Sequence, residues 1–118
     1  MTTSITSITI KTSQLESMRR FYEILGVEFQ MIQVDKGGRL LRAQLSALTL
    51  NLLEASAGNA APSPQLQFSV NVSKDLQQIC QELQDQGFQL ILDPQKTLLG
   101  FQAIALDPDQ HAVEILTI

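Results

Sequence analysis

The chain has 118 residues, of which 44% are hydrophobic and 17% charged, and its formal net charge is −4. This length allows one domain with its own apolar core, and the composition is that of a globular protein rather than a disordered one. The acidic balance, with no cluster of Lys or Arg, argues against nucleic acid and anionic membranes as partners, because phosphate binding needs concentrated positive charge. No apolar run approaches the roughly 20 residues that a membrane-spanning helix needs.

Two further features of the sequence concern the compartment. The first residues show neither the basic segment nor the apolar run of a secretory signal. Cys80 is the single cysteine and has no partner for an internal disulfide. We therefore expect a cytoplasmic protein.

The beginning of the chain predicts a strand followed by an amphipathic helix. Residues 7–12 alternate between polar and apolar side chains, which is typical of a strand with one buried face. Ser13 and Glu16 have the spacing of a capping box, so we expect Ser13 to cap the helix. Apolar residues then recur at helical spacing, with Tyr22 on the buried stripe, until Gly26 ends the helix.

Three more strands are predicted after this helix, at 28–34, 39–45 and 48–54, with a hairpin loop at 35–38. Residues 55–64 are small and contain two prolines. This segment is therefore predicted to be a linker.

The second half of the chain repeats the order of the first. Residues 67–72 alternate again, Ser73 or Asp75 can cap a second helix, and Gly87 ends it. Cys80 lies on the apolar stripe of this helix, which favours a buried small side chain over a reactive thiol. The remaining strands are predicted at 88–92, 101–106 and 111–117, with turns at 93–94 and 107–110.

The repeat predicts an α+β fold of two βαβββ modules that form a curved mixed sheet around a cleft. We place the modules at 4–57 and 65–118, within a single domain, joined by the linker at 55–64. The polar faces of the two opening strands carry hydroxyl and amide groups. Alternation alone is compatible with a solvent-facing surface and with a ligand-binding concavity, and the repeat favours the concavity.

Three stretches of sequence carry a resemblance to a known superfamily. Residues 13–26 contain a Phe-Tyr pair before Leu-Gly, residues 99–109 lead into an Asp-Pro-Asp turn, and residues 110–116 form a closing strand with Glu114. Together they resemble the vicinal oxygen chelate superfamily, which includes glyoxalase I, the extradiol dioxygenases, and the bleomycin and fosfomycin resistance proteins. The resemblance implies the two-module fold and pairing as a homodimer.

Metal-dependent members of that superfamily hold a divalent ion with four side chains from the cavity face. The resemblance places these positions on Ser7, Asn51, Gln67 (or its neighbour Leu66) and Glu114, and only Glu114 matches the superfamily pattern. One carboxylate among neutral groups is too little to hold a divalent ion, so we expect no metal and no other cofactor.

His111 is the single histidine and follows the predicted turn at 107–110. We expect it to lie at the surface. Even as a metal ligand it would stand alone.

The hypothesis that the sequence favours is a metal-free module that binds an unidentified small molecule, in which Glu114 contacts a cationic or hydrogen-bond-donating group. Two alternatives stay open: a metal-dependent lyase, isomerase or dioxygenase with unrecognised ligands, and an interaction protein with a vestigial cleft. No second catalytic group accompanies Glu114, which argues against an enzyme. Lys11 is expected at the rim of the cleft, and the expected lining residues are Ser7, Thr9, Asn51, Gln67, Ser69 and Glu114.

Overall fold

The computed structural model describes residues 2–34, 38–55 and 64–118. Most of the predicted hairpin loop, at 35–37, and of the predicted linker, at 56–63, lies outside the described residues. The elements in chain order are β1 (Ser7–Thr12), α1 (Leu15–Ile24), β2 (Gln30–Gln33), β3 (Arg39–Gln44), β4 (Thr49–Glu54), β5 (Gln67–Asn71), α2 (Leu76–Asp85), β6 (Gln89–Lys96), β7 (Phe101–Leu106) and β8 (Ala112–Thr117).

The strands form two four-stranded mixed sheets of the same topology, in the orders β1-β4-β3-β2 and β5-β8-β7-β6. In each sheet the opening strand pairs in parallel with the last strand of its module, and the other neighbours are antiparallel. The two βαβββ modules predicted from the repeat are therefore confirmed. The residue boundaries given above for the modules stay predictions.

A single apolar core joins the two modules. It contains the inward side of both helices together with alternate residues of both sheets. Phe21 of α1 packs edge-on against Phe88, with ring centroids 5.4 Å apart, and Tyr22 stacks on Phe68 at 6.3 Å. Because both partners belong to the second module, α1 contributes to a core shared between modules. Cys80 is buried in this core, as expected.

The two helices begin differently, and one of the predicted caps is wrong. Residue Gln14 precedes α1 and its side chain makes no capping hydrogen bond, while Glu16 is 3.3 Å from Arg39 on β3. The predicted capping box at Ser13 therefore does not form. Asp75 does cap α2, because its carboxylate accepts the backbone N–H of Gln77 at 3.0 Å.

Two boundaries also differ from those predicted. Strand β2 is shorter than expected, and β6 continues through 93–94, where a turn was predicted. Pro94 is compatible with that strand because β6 lies at the sheet edge and its register is irregular on either side of Leu92. The predicted turn at 107–110 is present, with Gln110 at φ 70° and its N–H bonded to the Asp107 carbonyl.

Within the described residues, the helices are too short and too polar to cross a bilayer.

Candidate functional site

Each sheet has one face turned toward the helices and one face turned away from them. In the first module, Ile10, Leu41 and Leu52 belong to the core, so their strand neighbours point to the opposite side. We call this opposite side the first open face. Its central row crosses all four strands through direct register pairs and consists of Gln30, Arg42, Asn51 and Thr9.

The central row of the first open face is joined by hydrogen bonds. Arg42 Nε donates to Asn51 Oδ1 at 3.0 Å, and Asn51 Nδ2 donates to Thr9 Oγ1 at 3.3 Å. Asn51 is buried, whereas Thr9 and Arg42 are exposed. The buried amide thus orients an exposed guanidinium through a fixed donor and acceptor pattern. Thr9 and Asn51, both predicted from sequence as lining residues, are brought together.

Arg42 was missed by the sequence-based prediction. It alternates with core residues along β3, as Thr9 does along β1, so the alternation alone could have placed it on a polar face. Its position opposite Asn51 depends on the pairing of β3 with β4, and this pairing is what brings it to the site.

The second open face, the side of the second sheet that is turned away from the core residues Ala103, Val113 and Ile115, carries the matching row. That row consists of Leu92, Ile104, Glu114 and Ser69. Ser69 is the third residue of its opening strand, as Thr9 is of β1. The first row is therefore polar and cationic, and the second is half apolar and acidic.

Glu114 accepts two short hydrogen bonds from neutral side chains. Ser69 Oγ donates to one carboxylate oxygen at 2.6 Å, and Gln102 Nε2 donates to the other at 2.6 Å. Ser69 lies beside Glu114 through the parallel pairing of β5 with β8. Gln102, which sequence analysis missed, reaches the carboxylate diagonally from β7, because Ile104 is the residue directly opposite Glu114.

The other predicted lining residues lie on the same two faces. Ser7 is exposed and pairs with Thr49, and Gln67 is exposed and pairs with Ala112. Ser69 also lines a cavity of about 540 Å³ between the β3–β4 turn and the end of β5. Across residues 2–34, 38–55 and 64–118, no hydrogen bond joins the predicted residues of one face to those of the other.

The donors at the four metal-ligand positions do not suit a divalent cation. The Asn51 oxygen already accepts from the Arg42 guanidinium, which places positive charge beside that position. Both Glu114 oxygens accept from neutral donors. Among the described residues, no three His, Cys, Asp or Glu side chains are grouped as a metal site.

His111 does not lie at the surface, so that prediction is wrong. Its side chain is 0% exposed, and its Nδ1 accepts the backbone N–H of Leu66 at 2.8 Å, just before β5 begins. Its backbone N–H is held by the Asp107 carboxylate at 3.0 Å. The turn folds the ring inward, where the imidazole ties the start of the second module to the β7–β8 turn.

Asp107 and Tyr22 form a second buried contact beside this histidine. The Tyr22 hydroxyl donates to Asp107 Oδ2 at 2.6 Å. Burial raises the pKa of Tyr22, and the neighbouring Asp107 carboxylate raises it further. Burial also raises the pKa of Asp107, against the opposing effect of the Tyr22 hydrogen bond. The phenol therefore acts as a donor to a buried acid, which is a structural role between the modules.

Comparison with known proteins gives a family match for the first module. Residues 4–52 match the family described as "Lactoylglutathione lyase, putative-like, N-terminal". The comparison with curated proteins gave no match.

Several solved structures share the fold along nearly the whole chain. The antibiotic binding protein TnmS3 from Streptomyces sp. CB03234 is 21% identical, with a TM-score of 0.70 over 98% of this chain and 96% of that one. A glyoxylase/bleomycin resistance protein/dioxygenase domain from Frankia sp. EAN1pec is 18% identical, with a TM-score of 0.69 over 99% and 98%. Lactoylglutathione lyase from Agrobacterium tumefaciens is 16% identical, with a TM-score of 0.63 over 98% and 94%.

The expected resemblance to the vicinal oxygen chelate superfamily is confirmed, by sequence in the first module and by fold in the whole chain. The architecture is the one shared by glyoxalase, bleomycin resistance and dioxygenase domains.

Proposed function

We propose that this protein is a metal-free small-molecule-binding module of the vicinal oxygen chelate type, whose binding walls are the two open faces. The observation that carries the proposal is the state of Glu114, whose two oxygens accept from Ser69 and Gln102. The two neutral donors orient the carboxylate on the open face without placing a positive charge beside it. Such a group attracts a ligand amine or hydroxyl rather than completing a ligand set for a divalent ion.

The apolar half of the second row indicates the rest of the ligand. Leu92 and Ile104 lie on the same face as Glu114, so a ligand with an apolar body and a donor group can contact both kinds of surface. The fold similarity to an antibiotic binding protein is consistent with a ligand of drug-like size. In this proposal the binding residues are those expected from sequence, Ser7, Thr9, Asn51, Gln67, Ser69 and Glu114, extended by Arg42 and Gln102.

We further propose that the binding unit is a cytoplasmic homodimer. The described chain measures 47 × 43 × 23 Å, and its polar open faces are exposed at Thr9 and Ser69. A second copy can set the first open face of one chain opposite the second open face of the other. Arg42 and Glu114 would then stand on opposing walls with opposite charge, which favours that pairing over like faces meeting. Light scattering coupled to size exclusion tests the dimer, and a monomer at micromolar concentration contradicts it.

The experiment that tests the binding function has two parts. Elemental analysis of protein purified without chelator should find no stoichiometric Ni, Zn, Fe or Mn. Thermal-shift screening with cationic, aromatic and keto-acid compounds should then identify a ligand, taken forward by calorimetry. Glu114→Gln should weaken binding of an amine-bearing ligand about tenfold or more, because a charge-assisted hydrogen bond is lost.

A matched control for Glu114→Gln is Glu82→Gln, which removes the same charge from the exposed side of α2. Unchanged ligand affinity in Glu114→Gln would remove the proposed role of that carboxylate. One metal ion per chain would instead favour the alternative of a metal-dependent lyase, isomerase or dioxygenase, for which the family match of residues 4–52 is the supporting observation.

A further inference from the structure

The first open face has a charge pattern that its metal-ligand positions do not explain. In the strands as the structure describes them, this face carries the cationic side chains of Lys11 and Arg42 and no carboxylate. Glu54 at the end of β4 turns to the helix side, where it bonds Arg39 at 2.7 Å. The other strand positions of this face hold neutral side chains.

The guanidinium of Arg42 is oriented on this face by a hydrogen bond to Asn51. Its Nε–H is bound by the buried Asn51, whose own amide is bound by Thr9. The Asn51 contact uses one donor of the planar fork and leaves the terminal amino groups to other acceptors. A fork held in this way is suited to a planar, two-oxygen acceptor, because both parallel hydrogen bonds can then form without reorienting the arginine.

Beside Arg42 lies an open cavity of about 590 Å³. Amide side chains of Gln30 and Gln44 line it next to the guanidinium, and Val27, Phe29 and Leu45 supply apolar wall. Glu28 also lines it, and this negative charge disfavours dianions relative to monoanions. Polar groups thus converge at one end of the cavity, and an apolar surface of aromatic and aliphatic side chains lies next to them.

We propose that Arg42, held by Asn51 and Thr9, is the anion subsite of the first open face and binds the carboxylate of a small monocarboxylate with an apolar or aromatic body. This inference rests on the proposed function, since it takes the open faces to be binding walls. It adds the chemical class of ligand that the first open face binds. Gln30 supplies a flanking amide donor, and Phe29 packs on the body of the ligand. The Gln44 amide is held in place beside them, because its Nε2 donates to the Leu45 carbonyl at 3.2 Å and its Oε1 accepts from the Thr49 hydroxyl at 2.8 Å.

The test uses benzoate as the probe, with benzyl alcohol and benzylamine as ring-matched controls that lack the negative charge. Ligand-detected NMR titration of the full chain should give a dissociation constant on the order of millimolar for benzoate, as expected for so small a ligand. Benzyl alcohol and benzylamine should bind at least about tenfold more weakly at the same site.

Four variants separate the role of the oriented Arg42 guanidinium from an effect of net charge. Arg42→Gln should weaken benzoate binding about tenfold or more, and Arg42→Lys should be intermediate because the charge stays while the planar fork is lost. Arg20→Gln, on the exposed side of α1, makes the same charge change away from this face and should bind as the wild type does. Thr9→Val, which removes the acceptor that orients Asn51, should weaken binding about threefold while leaving the thermal midpoint within a few degrees.

Benzoate binding that is absent, that benzyl alcohol matches, or that survives Arg42→Gln unchanged overturns the subsite. The two proposals fail separately. If Glu114→Gln loses amine binding while benzoate binding does not depend on Arg42, only the proposed subsite is contradicted. If benzoate binding depends on Arg42 and the protein also holds a stoichiometric metal ion, the metal-free function is contradicted and the subsite is supported.

Discussion

The hydroxyl of Tyr22 donates to the buried carboxylate of Asp107 at 2.6 Å and thereby ties the first helix to the last turn of the second module. The two residues are 85 positions apart and both are buried. Since α1 also packs on Phe68 and Phe88, this polar contact lies inside the apolar interface that holds the modules in one domain. The position of the open faces relative to the core depends on that interface.

Tyr22→Phe should lower the free energy of unfolding by about 1–3 kcal/mol, because it leaves a buried carboxylate oxygen without its donor. Urea unfolding followed by circular dichroism measures the change. Phe29→Tyr, which adds a hydroxyl at a half-buried position outside this contact, is the control and should change little. A Tyr22→Phe variant as stable as the wild type would show that the contact contributes nothing.

The stability of the protein should fall at alkaline pH through Tyr22. Its pKa in the folded state is raised above the ordinary value of 10.0 by burial and by Asp107. Above that ordinary value the unfolded chain loses the phenolic proton first, so stability declines by up to about 1.4 kcal/mol per pH unit as pH rises toward the folded pKa. Tyr22 is the single tyrosine, so Tyr22→Phe should show a smaller decline from about pH 9 to about pH 11. Equal declines in both proteins would contradict this linkage.

His111→Phe should destabilise the protein by about 1–3 kcal/mol, because the partly buried Leu66 N–H loses its acceptor. The effect should be local at first. Amide hydrogen exchange at Leu66 is expected to accelerate more than exchange in α1. Unaltered protection at Leu66 would mean that the imidazole is not what holds the entry to β5.

Gly100→Ala should be among the more damaging single substitutions, at about 2 kcal/mol or more, since a Cβ there meets the Thr117 carbonyl of the neighbouring strand. Gly87→Ala is the matched control: nothing lies within 4 Å of its added Cβ, and its φ of +88° costs about 1–2 kcal/mol through backbone strain alone. The midpoints of thermal unfolding rank the two variants, and Gly100→Ala should have the lower one. The reverse order would contradict the close approach at Gly100.

Removing the cap of α2 should cost more than removing the residue predicted to cap α1. Asp75→Ala loses the hydrogen bond to the Gln77 N–H and should destabilise by about 1 kcal/mol. Ser13→Ala should stay within about 0.5 kcal/mol of the wild type, because Gln14 precedes α1 and no side chain caps it. A larger loss at Ser13 would restore the capping box that the sequence suggested.

The sequence by itself determined the local structure of this protein. It also determined which side chains lie on the core side of each strand and which lie on the open side. Alternation and helical spacing depend on neighbours within a few positions, so the two modules, the glycine that ends each helix, the buried Cys80 and the open-face positions of Thr9 and Glu114 could be predicted. The two-residue period of a strand was enough to separate polar from core-facing side chains.

Only the tertiary structure decided which of these residues meet. Arg42 contacts Asn51, and Gln102 contacts Glu114, through the pairing of strands whose register the sequence pattern does not specify. His111 was expected at the surface. It is a buried hydrogen-bond acceptor because the turn at 107–110 folds its ring against Leu66. These contacts arise from strand pairing and turn geometry within each module, and local periodicity carries no information about them.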